Sequence, residues 1–236
     1  MSCLRWVGPP SSWFGQGAGR RVRIVSPMLR VVLSAIDDPL VRAWRRWCGE
    51  FEFVEIHEGS ITDLEVDAVV SPANSFGFMD GGIDAVYLDH FGAVIQTRVR
   101  RDIAEHHHGE LLVGDALIVP TDDRRIPFLI AAPTMRVPMM LNESVHPYLA
   151  SRAVFLLVKH DNFATGSRAG EPVRQSVASV AMPGLGTGVG GVSGAVCAYQ
   201  VSQAIKDVLL GERWLPRSAG EAIERHQFLV QAPGAS

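Results

Sequence analysis

The sequence predicts an α/β domain in which a sheet of about six strands is flanked by helices. Strand-like and helix-like segments alternate from residue 29 to residue 210, which is typical of layered α/β domains. Hydrophobic residues make up 47% and charged residues 20% of the 236 residues, enough apolar mass for a core and too little charge for a disordered chain. The length fits one large domain or two small ones.

The first predicted unit is a strand followed by a helix. Residues 29–36 form a short β-branched run, which is typical of a buried strand. Asp38 is predicted to be the N-cap of a helix over residues 39–49, with Pro39 at its first position. Four apolar residues recur at helical spacing and are expected to pack in the core: Leu40, Val41, Trp44 and Trp47.

Two strands and a long helix come next. Residues 52–58 alternate between apolar and polar side chains, which predicts a half-exposed strand, and residues 67–73 predict a buried strand. A helical pattern over residues 83–107 ends at Gly109, a natural C-cap. The three histidines at 106–108 point in different directions on a helix, so we expect no metal site there.

The rest of the chain continues the alternation. Strands at 115–121 and 126–133 flank a polar turn and predict a hairpin or two neighbouring strands. The remaining predicted elements are a helix at 147–158, a strand at 176–183, a helix at 193–210 and a weak helix at 219–230. In such folds ligands bind at the carboxyl ends of strands, so the informative residues should follow strands.

The two ends of the chain differ from the middle. Residues 1–27 are rich in Gly, Pro, Ser and Arg and contain no Asp or Glu, which predicts a flexible extension and makes Met28 a candidate start. The twin arginine at 20–21 lacks a following apolar stretch, so no secretory signal is expected. We therefore predict a single α/β domain over 28–212 and a C-terminal helix and tail over 213–236.

Composition excludes several function classes. A net charge of −3 and a pI of about 6.2 argue against a dedicated nucleic-acid binder. No apolar run reaches the ~18–20 residues that span a bilayer. Three scattered cysteines (Cys3, Cys48 and Cys197) suit neither a disulfide framework nor a zinc site, and we expect a cytoplasmic protein with Cys48 and Cys197 buried. Only two lysines occur, Lys159 and Lys206.

Loop one, residues 74–84, follows the second buried strand and contains residues suited to binding a sugar. Asn74 supplies a hydrogen-bond donor and an acceptor for sugar hydroxyls. Gly81 and Gly82 allow close approach of the backbone to a ligand. Asp84 falls in the first turn of the next helix, where the helix dipole favours the ionised carboxylate. The structural alternative is that Asn74 and Asp84 only cap a turn and a helix.

Loop two, residues 183–194, follows the last strong strand and contains six glycines. Successive backbone amides in such a loop bind diphosphate. The loop contains G-x-G-x-G but no Gly-Lys-Ser/Thr, and it does not follow the first strand, so it matches neither the dinucleotide fingerprint nor the P-loop. A flexible turn is the alternative, but two such loops in one domain indicate a ligand with sugar and phosphate parts.

Both loops resemble the macro domain family, which binds ADP-ribose. The resemblance lies in GSITDLEVDAVVSPANSFGFMDGGID (59–84) and PGLGTGVGG (183–191); the family pattern is G-D-I-T, V-D-A-I-V-N-A-A-N, a Gly-rich loop with V-D, and S-T-G-I-aromatic-G. The resemblance covers residues 50–210. The spacing of Asn74 from Asp84 equals that of the catalytic Asn and Asp in the hydrolytic members of the family. The resemblance implies a three-layer α/β/α domain with a mixed sheet.

The resemblance also implies where the parts of ADP-ribose lie. The catalytic residues at the distal ribose would be Asn74 and Asp84. Backbone contacts to that ribose would come from Gly81 and Gly82. The adenine would meet Ser60 and Ile61. The diphosphate would be bound by five consecutive residues: Gly186, Thr187, Gly188, Val189 and Gly190.

Some positions depart from the family pattern. Ser60 replaces the Asp that receives the adenine amino group, and Ser71 replaces the first Asn of N-A-A-N. Gly190 replaces the aromatic residue that packs on the distal ribose, and two loop-one residues are candidate replacements: Phe76 and Phe78. The strand–helix unit at 29–49 is an addition to the family pattern, and no counterpart of the family's final strand is evident after residue 210. The added strand and the missing final strand are candidates for the same place in the sheet.

The resemblance implies hydrolysis of mono-ADP-ribosyl or O-acetyl-ADP-ribose linkages, with Asp84 activating water and no metal or cofactor. The lysine nucleophile of one subclass is not expected, because Lys159 and Lys206 fall on predicted helices away from the loops. The expected partners are ADP-ribose and ADP-ribosylated proteins, with nucleic acid only if ADP-ribosylated, and no membrane. The alternatives are a non-catalytic ADP-ribose reader and a phosphatase acting on ADP-ribose-1″-phosphate.

Overall fold

A computed structural model describes residues 28–232. The predicted extension at 1–27, with Cys3, lies outside the described residues. The strands are β1 (Arg30–Ala35), β2 (Val54–Glu58), β3 (Ala68–Ser71), β4 (Leu117–Pro120), β5 (Phe128–Ala131) and β6 (Ser179–Met182). The helices are α1 (Asp38–Cys48), α2 (Gly82–Phe91), α3 (Val94–His106), α4 (His146–His160), α5 (Gly194–Ala204) and α6 (Ala219–Gln231).

The six strands form one mixed sheet in the order β2-β1-β6-β3-β5-β4, with only β4 antiparallel to its neighbour. Because successive strand residues point to opposite faces, Leu33 packs with α1, α4 and α5, whereas Val32 packs with α2 and α3. The predicted three-layer α/β/α architecture is confirmed, and so is the hairpin formed by β4 and β5.

The added β1–α1 unit is an integral part of the sheet. β1 lies between β2 and β6 and is parallel to both, with Val31 beside Val54 and Val32 beside Ala181. Within residues 28–232 no strand follows α5. Sheet position depends on pairing and burial rather than on chain order, so a strand from the beginning of the chain can fill an inner position.

Two predicted helix boundaries are wrong. Asp37, not Asp38, is the N-cap of α1, because the Asp37 carboxylate accepts a hydrogen bond from the Leu40 amide at 3.2 Å. The helix predicted over 83–107 is two helices, separated at Gly92, whose φ of +78° ends α2. Such a backbone conformation is accessible to glycine and costly for most other residues.

The residues of α1 and the two cysteines that were expected in the core are buried, except that Trp47 is only partly buried. Val41 and Trp44 are fully buried, and Trp47 is partly buried against the core. Cys48 and Cys197 are both buried.

Among residues 28–232, no helix combines the length and apolar character that crossing a membrane requires.

Candidate functional site

A cleft of about 450 Å³ opens where β1, β3 and β6 end. Its walls come from both glycine-rich loops, the turn after β1, the turn after β2 and the segment at 135–138. All eleven residues proposed from the sequence line this cleft: Ser60, Ile61, Asn74, Gly81, Gly82, Asp84, Gly186, Thr187, Gly188, Val189 and Gly190. The strand ends therefore bring together residues that are up to 130 positions apart in the chain (60 to 190).

Asp84 lies in the first turn of α2 and is only 6% exposed. The Ser71 hydroxyl, at the end of β3, donates a hydrogen bond to Asp84 Oδ1 at 2.5 Å. Burial raises the pKa of Asp84 to about 7, although the hydrogen bond from Ser71 acts in the opposite direction. The expectation that the helix dipole would keep this carboxylate ionised is therefore corrected, because the loss of hydration outweighs the dipole.

Tyr87 lies one turn further along α2 and is completely buried. Its hydroxyl donates to the Val70 carbonyl at 3.1 Å. Burial and the nearby Asp84 carboxylate raise the pKa of Tyr87 well above its usual value. The phenol is thus neutral near pH 7, and its proton is directed at the backbone rather than at Asp84.

The Asn74 side chain organises loop one. Its Oδ1 accepts hydrogen bonds from the amides of Phe76 and Phe78, and its Nδ2 donates to the Phe78 carbonyl at 2.9 Å. The carbonyl oxygen therefore has no lone pair left for a ligand, which corrects the expectation of a donor and an acceptor. One N–H of the amide has no partner among the described residues and remains for a ligand at the cleft.

The two phenylalanines of loop one have different surroundings. Phe78 lines the cleft and is 48% exposed, whereas Phe76 does not line it. The Arg100 guanidinium stacks on the Phe78 ring at 4.2 Å from its centroid and donates to the Phe76 carbonyl at 2.9 Å. Arg136 stacks on Phe76 instead, at 5.3 Å. Phe78 is thus the loop-one aromatic that a ligand would meet.

Loop two presents a row of free backbone donors. Its turns are closed by hydrogen bonds from Val192 to the Gly186 carbonyl and from Gly191 to the Gly188 carbonyl. Within the described part of the chain, the five successive amides from Gly186 to Gly190 have no acceptor. Because Gly186 has a φ of +69°, the backbone turns at the start of this row in a way that glycine permits.

Gly190 has a steric reason to lack a side chain. A Cβ at this position would lie 2.5 Å from the Gly186 carbonyl oxygen and 2.9 Å from the Leu141 side chain. In addition, the Gly190 carbonyl accepts a hydrogen bond from the Leu141 amide at 2.8 Å. An aromatic residue does not fit here in this loop conformation.

Several cleft residues were missed in the sequence. They come from the turn after β1 and the start of α1, from α2 and from the segment after β5: Ile36, Asp37, Leu40, Val86, Met135 and Pro138. The rule that functional residues follow strands already pointed to the first and last of these segments. What the sequence lacks is the pairing that places β1 beside β6 and brings its end to the cleft.

Comparison with known proteins decides the family. The family model described as Macro domain matches residues 70–201. The chain belongs to the macro domain family.

Two relatives of this macro domain are described only as uncharacterized proteins. One, from Aquifex aeolicus, is 31% identical over 153 residues, which is 65% of this chain and 81% of the relative. The other, from Aeropyrum pernix, is 33% identical over 156 residues, which is 66% of this chain and 71% of the relative. The macrodomain of Mycobacterium tuberculosis DarG has a similar fold, with a TM-score of 0.51 at 18% identity over 64% of this chain and 89% of that one.

Both lysines of the macro domain lie outside the cleft. The Lys159 ammonium donates to the Val208 carbonyl, and Lys206 forms an ion pair with Glu50 at 3.1 Å. Among residues 28–232, no group of three or more His, Cys, Asp or Glu side chains is arranged to hold a metal ion. The titratable side chains that line the cleft are Asp37, Asp80 and Asp84.

Proposed function

We propose that this macro domain binds ADP-ribose in the cleft and hydrolyses the bond that joins the distal ribose to a mono-ADP-ribosylated protein or an O-acetyl group. The observation that supports this most is that one wall of the cleft presents a row of free backbone amides, whereas another presents the buried, hydrogen-bonded carboxylate of Asp84. The first is suited to a diphosphate and the second to activating water.

The amides from Gly186 to Gly190 are the proposed diphosphate site. Consecutive N–H groups in a turn form an anion-binding concavity and need no basic side chain. Gly188 has open space at its Cα, so a phosphate can approach the backbone there. In this arrangement Ser60 and Ile61 contact the adenine, and Gly81 and Gly82 contact the distal ribose; both of these glycines also have open space where a side chain would be.

Asp84 is the proposed general base. Its carboxylate takes a proton from water as the water oxygen bonds to the anomeric carbon or to the ester carbonyl carbon. In the first case the bond from the anomeric carbon to the ester oxygen breaks and a carboxylate leaves; in the second the bond from the acyl carbon to the ribose oxygen breaks and that oxygen takes the proton back from Asp84. A base is most effective when its pKa is near the working pH, and burial brings the pKa of Asp84 to about 7. The free N–H of Asn74 orients the ribose, and the other Asn74 hydrogen bonds fix the loop.

A non-catalytic reader is the second candidate function. Its support is that the Asn74 carbonyl is fully occupied by loop amides, so Asn74 orients a ribose with one bond rather than two. Calorimetry with ADP-ribose and an assay of ADP-ribose release from a Glu/Asp-modified protein separate the two. Binding with release supports the hydrolase, binding without release supports the reader, and no binding contradicts both.

The rate of hydrolysis is expected to rise with pH through an apparent pKa of about 7, because only ionised Asp84 accepts a proton. In Ser71→Ala the hydrogen bond that favours the ionised form is lost, so the midpoint should move to higher pH. A pH–rate profile from pH 5 to pH 9 measures this.

Two variants control the Ser71 experiment. Ser71→Thr keeps the hydroxyl and should restore the profile. Ser151 is an equally buried serine on α4, bonded to the Pro147 carbonyl at 2.7 Å, and Ser151→Ala should leave the midpoint unchanged. If Ser71→Ala keeps the wild-type midpoint, Ser71 does not tune Asp84.

Phe78→Ala is expected to weaken ADP-ribose binding by about fivefold to tenfold, because a buried aromatic contact is worth roughly 1 kcal/mol or more. The ring follows Asn74 and should pack on the distal ribose. ADP lacks that sugar, so its affinity should not change. Calorimetry with both ligands measures the difference.

Phe76→Ala is the matched control for this experiment. Phe76 belongs to the same turn and also stacks with an arginine, but it does not line the cleft. Phe76→Ala should leave the affinities for ADP and for ADP-ribose unchanged. An equal loss of affinity for ADP and for ADP-ribose in Phe78→Ala would mean that the Phe78 ring only supports the conformation of loop one.

A further inference from the structure

One buried glutamine joins three segments of the chain behind loop two. Gln200 lies on α5 and is completely buried. Its Nε2 donates hydrogen bonds to the carbonyls of Ser144 at 2.8 Å and Leu229 at 3.0 Å, and its Oε1 accepts one from the Tyr148 amide at 3.0 Å. Both N–H groups of the side-chain amide are therefore in use.

Two of these contacts satisfy the ends of helices, where backbone groups have no partner within the helix. Tyr148 lies in the first turn of α4, and Val145, which precedes that helix, has no side-chain oxygen to cap it. Leu229 lies in the last turn of α6, and of the thirteen residues of α6 only Leu229 is buried. Gln200 thus docks both helix ends on α5. The docked α6 follows the residues that match the family model.

The third contact leads to loop two. Ser144 belongs to the irregular segment 141–144, which precedes α4. At the other end of this segment, the Leu141 amide donates to the Gly190 carbonyl at 2.8 Å. The Leu141 side chain also approaches both ends of the row of free amides, since a Cβ on Gly186 or on Gly190 would lie 2.9 Å from it. The segment therefore connects Gln200 to the row.

A cavity of about 260 Å³ lies beside segment 141–144. Its other walls are the end of loop two at 191–193, Val196 of α5 and Val230 of α6. Because a cavity provides few packing contacts, the position of the segment depends on its hydrogen bonds to Gln200 and Gly190. A change at Gln200 is therefore expected to reach loop two.

We infer that Gln200 is a positioning residue for loop two. Through segment 141–144 it fixes the amides from Gly186 to Gly190 in the orientation that binds a diphosphate, and it makes α6 part of that support. This rests on the proposed function. It gives the C-terminal helix an influence on ligand binding although no residue of α6 lines the cleft.

Gln200→Met tests this inference, because methionine has a similar length and forms none of the three hydrogen bonds. The affinities for ADP and for ADP-ribose should fall equally, by about tenfold, which corresponds to one or two lost hydrogen bonds. In turnover, KM should rise while kcat stays within about twofold of wild type, because Asp84 and its partner Ser71 belong to α2 and β3. Calorimetry and steady-state release of ADP-ribose measure these values.

Gln96→Met is the matched control. Gln96 lies on α3, where its Oε1 accepts a hydrogen bond from the Met79 amide at 2.8 Å and so supports loop one. Because ADP lacks the distal ribose proposed to lie at loop one, Gln96→Met should leave ADP affinity unchanged. Wild-type affinities in Gln200→Met, or a loss for ADP-ribose alone, overturn the inference and leave the proposed function intact. A wild type that binds neither ligand overturns both.

A measurement on the wild type covers the case in which Gln200→Met does not fold. Coupling between two sites is reciprocal, so ADP bound at loop two should stabilise the hydrogen bonds of Gln200. Hydrogen exchange of the Tyr148 amide should then slow more than that of the Phe128 amide, which bonds to the Asp67 carbonyl at the opposite end of the sheet. Equal slowing of the two amides by saturating ADP overturns the inference.

Discussion

Asp84→Asn is expected to reduce ADP-ribose release by about 10²–10⁴-fold, the contribution of a positioned general base. The asparagine has the shape of aspartate and still accepts the Ser71 hydrogen bond, but it takes no proton from water. ADP-ribose affinity should stay within about threefold of wild type, since the diphosphate and adenine contacts are made elsewhere. Release of ADP-ribose from a Glu/Asp-modified protein measures the loss, and calorimetry measures binding.

The loss of activity should come with a gain in stability. The pKa of Asp84 in the folded protein is about 7 against an ordinary 3.8, so the folded state holds its proton more tightly than the unfolded chain. Above pH 7 the buried carboxylate is ionised at a cost on the order of 4 kcal/mol. Asp84→Asn removes that cost, and its free energy of unfolding should exceed that of wild type at pH 8, with the difference vanishing toward pH 4.

Asp102→Asn is the control for this pair of results. Asp102 is as buried as Asp84 but lies on α3, where it accepts a hydrogen bond from Thr165. Its substitution should leave turnover within about twofold of wild type. If Asp84→Asn turns over substrate at the wild-type rate, Asp84 is not the base; if it loses ADP-ribose binding as well, the carboxylate holds the ligand rather than activating water.

Much of this site follows from short-range features of the sequence. Loop one and loop two were evident because each combines a strand end, glycines and a helix start within about a dozen residues. The same local reasoning placed the catalytic candidates Asn74 and Asp84. It also located the six strands, since β-branched runs bounded by turns depend on neighbouring residues alone.

What the sequence did not yield depends on contacts between distant segments. The pKa of Asp84 is governed by burial, and burial is a property of the packed domain, so the local helix-dipole argument gave the wrong direction. The inner position of β1 depends on pairing with β2 and β6. Likewise, Phe78 lines the cleft and Phe76 does not, and this difference is set by the folded loop, because the two rings are equivalent in the local sequence.

Gly188→Glu is expected to lower ADP-ribose affinity by roughly 100-fold or more. The substitution places a carboxylate on the row of amides proposed to bind the diphosphate, and juxtaposed like charges cost several kcal/mol. The loop should still fold, because a Cβ at Gly188 meets nothing within 4 Å and the backbone there is not in the left-handed region. Calorimetry with ADP-ribose measures the affinity, and thermal unfolding checks the fold.

Two controls separate charge from size in this experiment. Gly188→Gln has the same bulk without the charge, so the excess loss in the glutamate variant is electrostatic and should shrink at high salt. Gly220→Glu adds the same charge at the start of α6, outside the cleft, and should bind normally. Because the diphosphate is common to both ligands, Gly188→Glu should weaken ADP and ADP-ribose equally, whereas Phe78→Ala affects ADP-ribose alone. Wild-type affinity for ADP-ribose in Gly188→Glu would mean that the diphosphate does not bind at loop two.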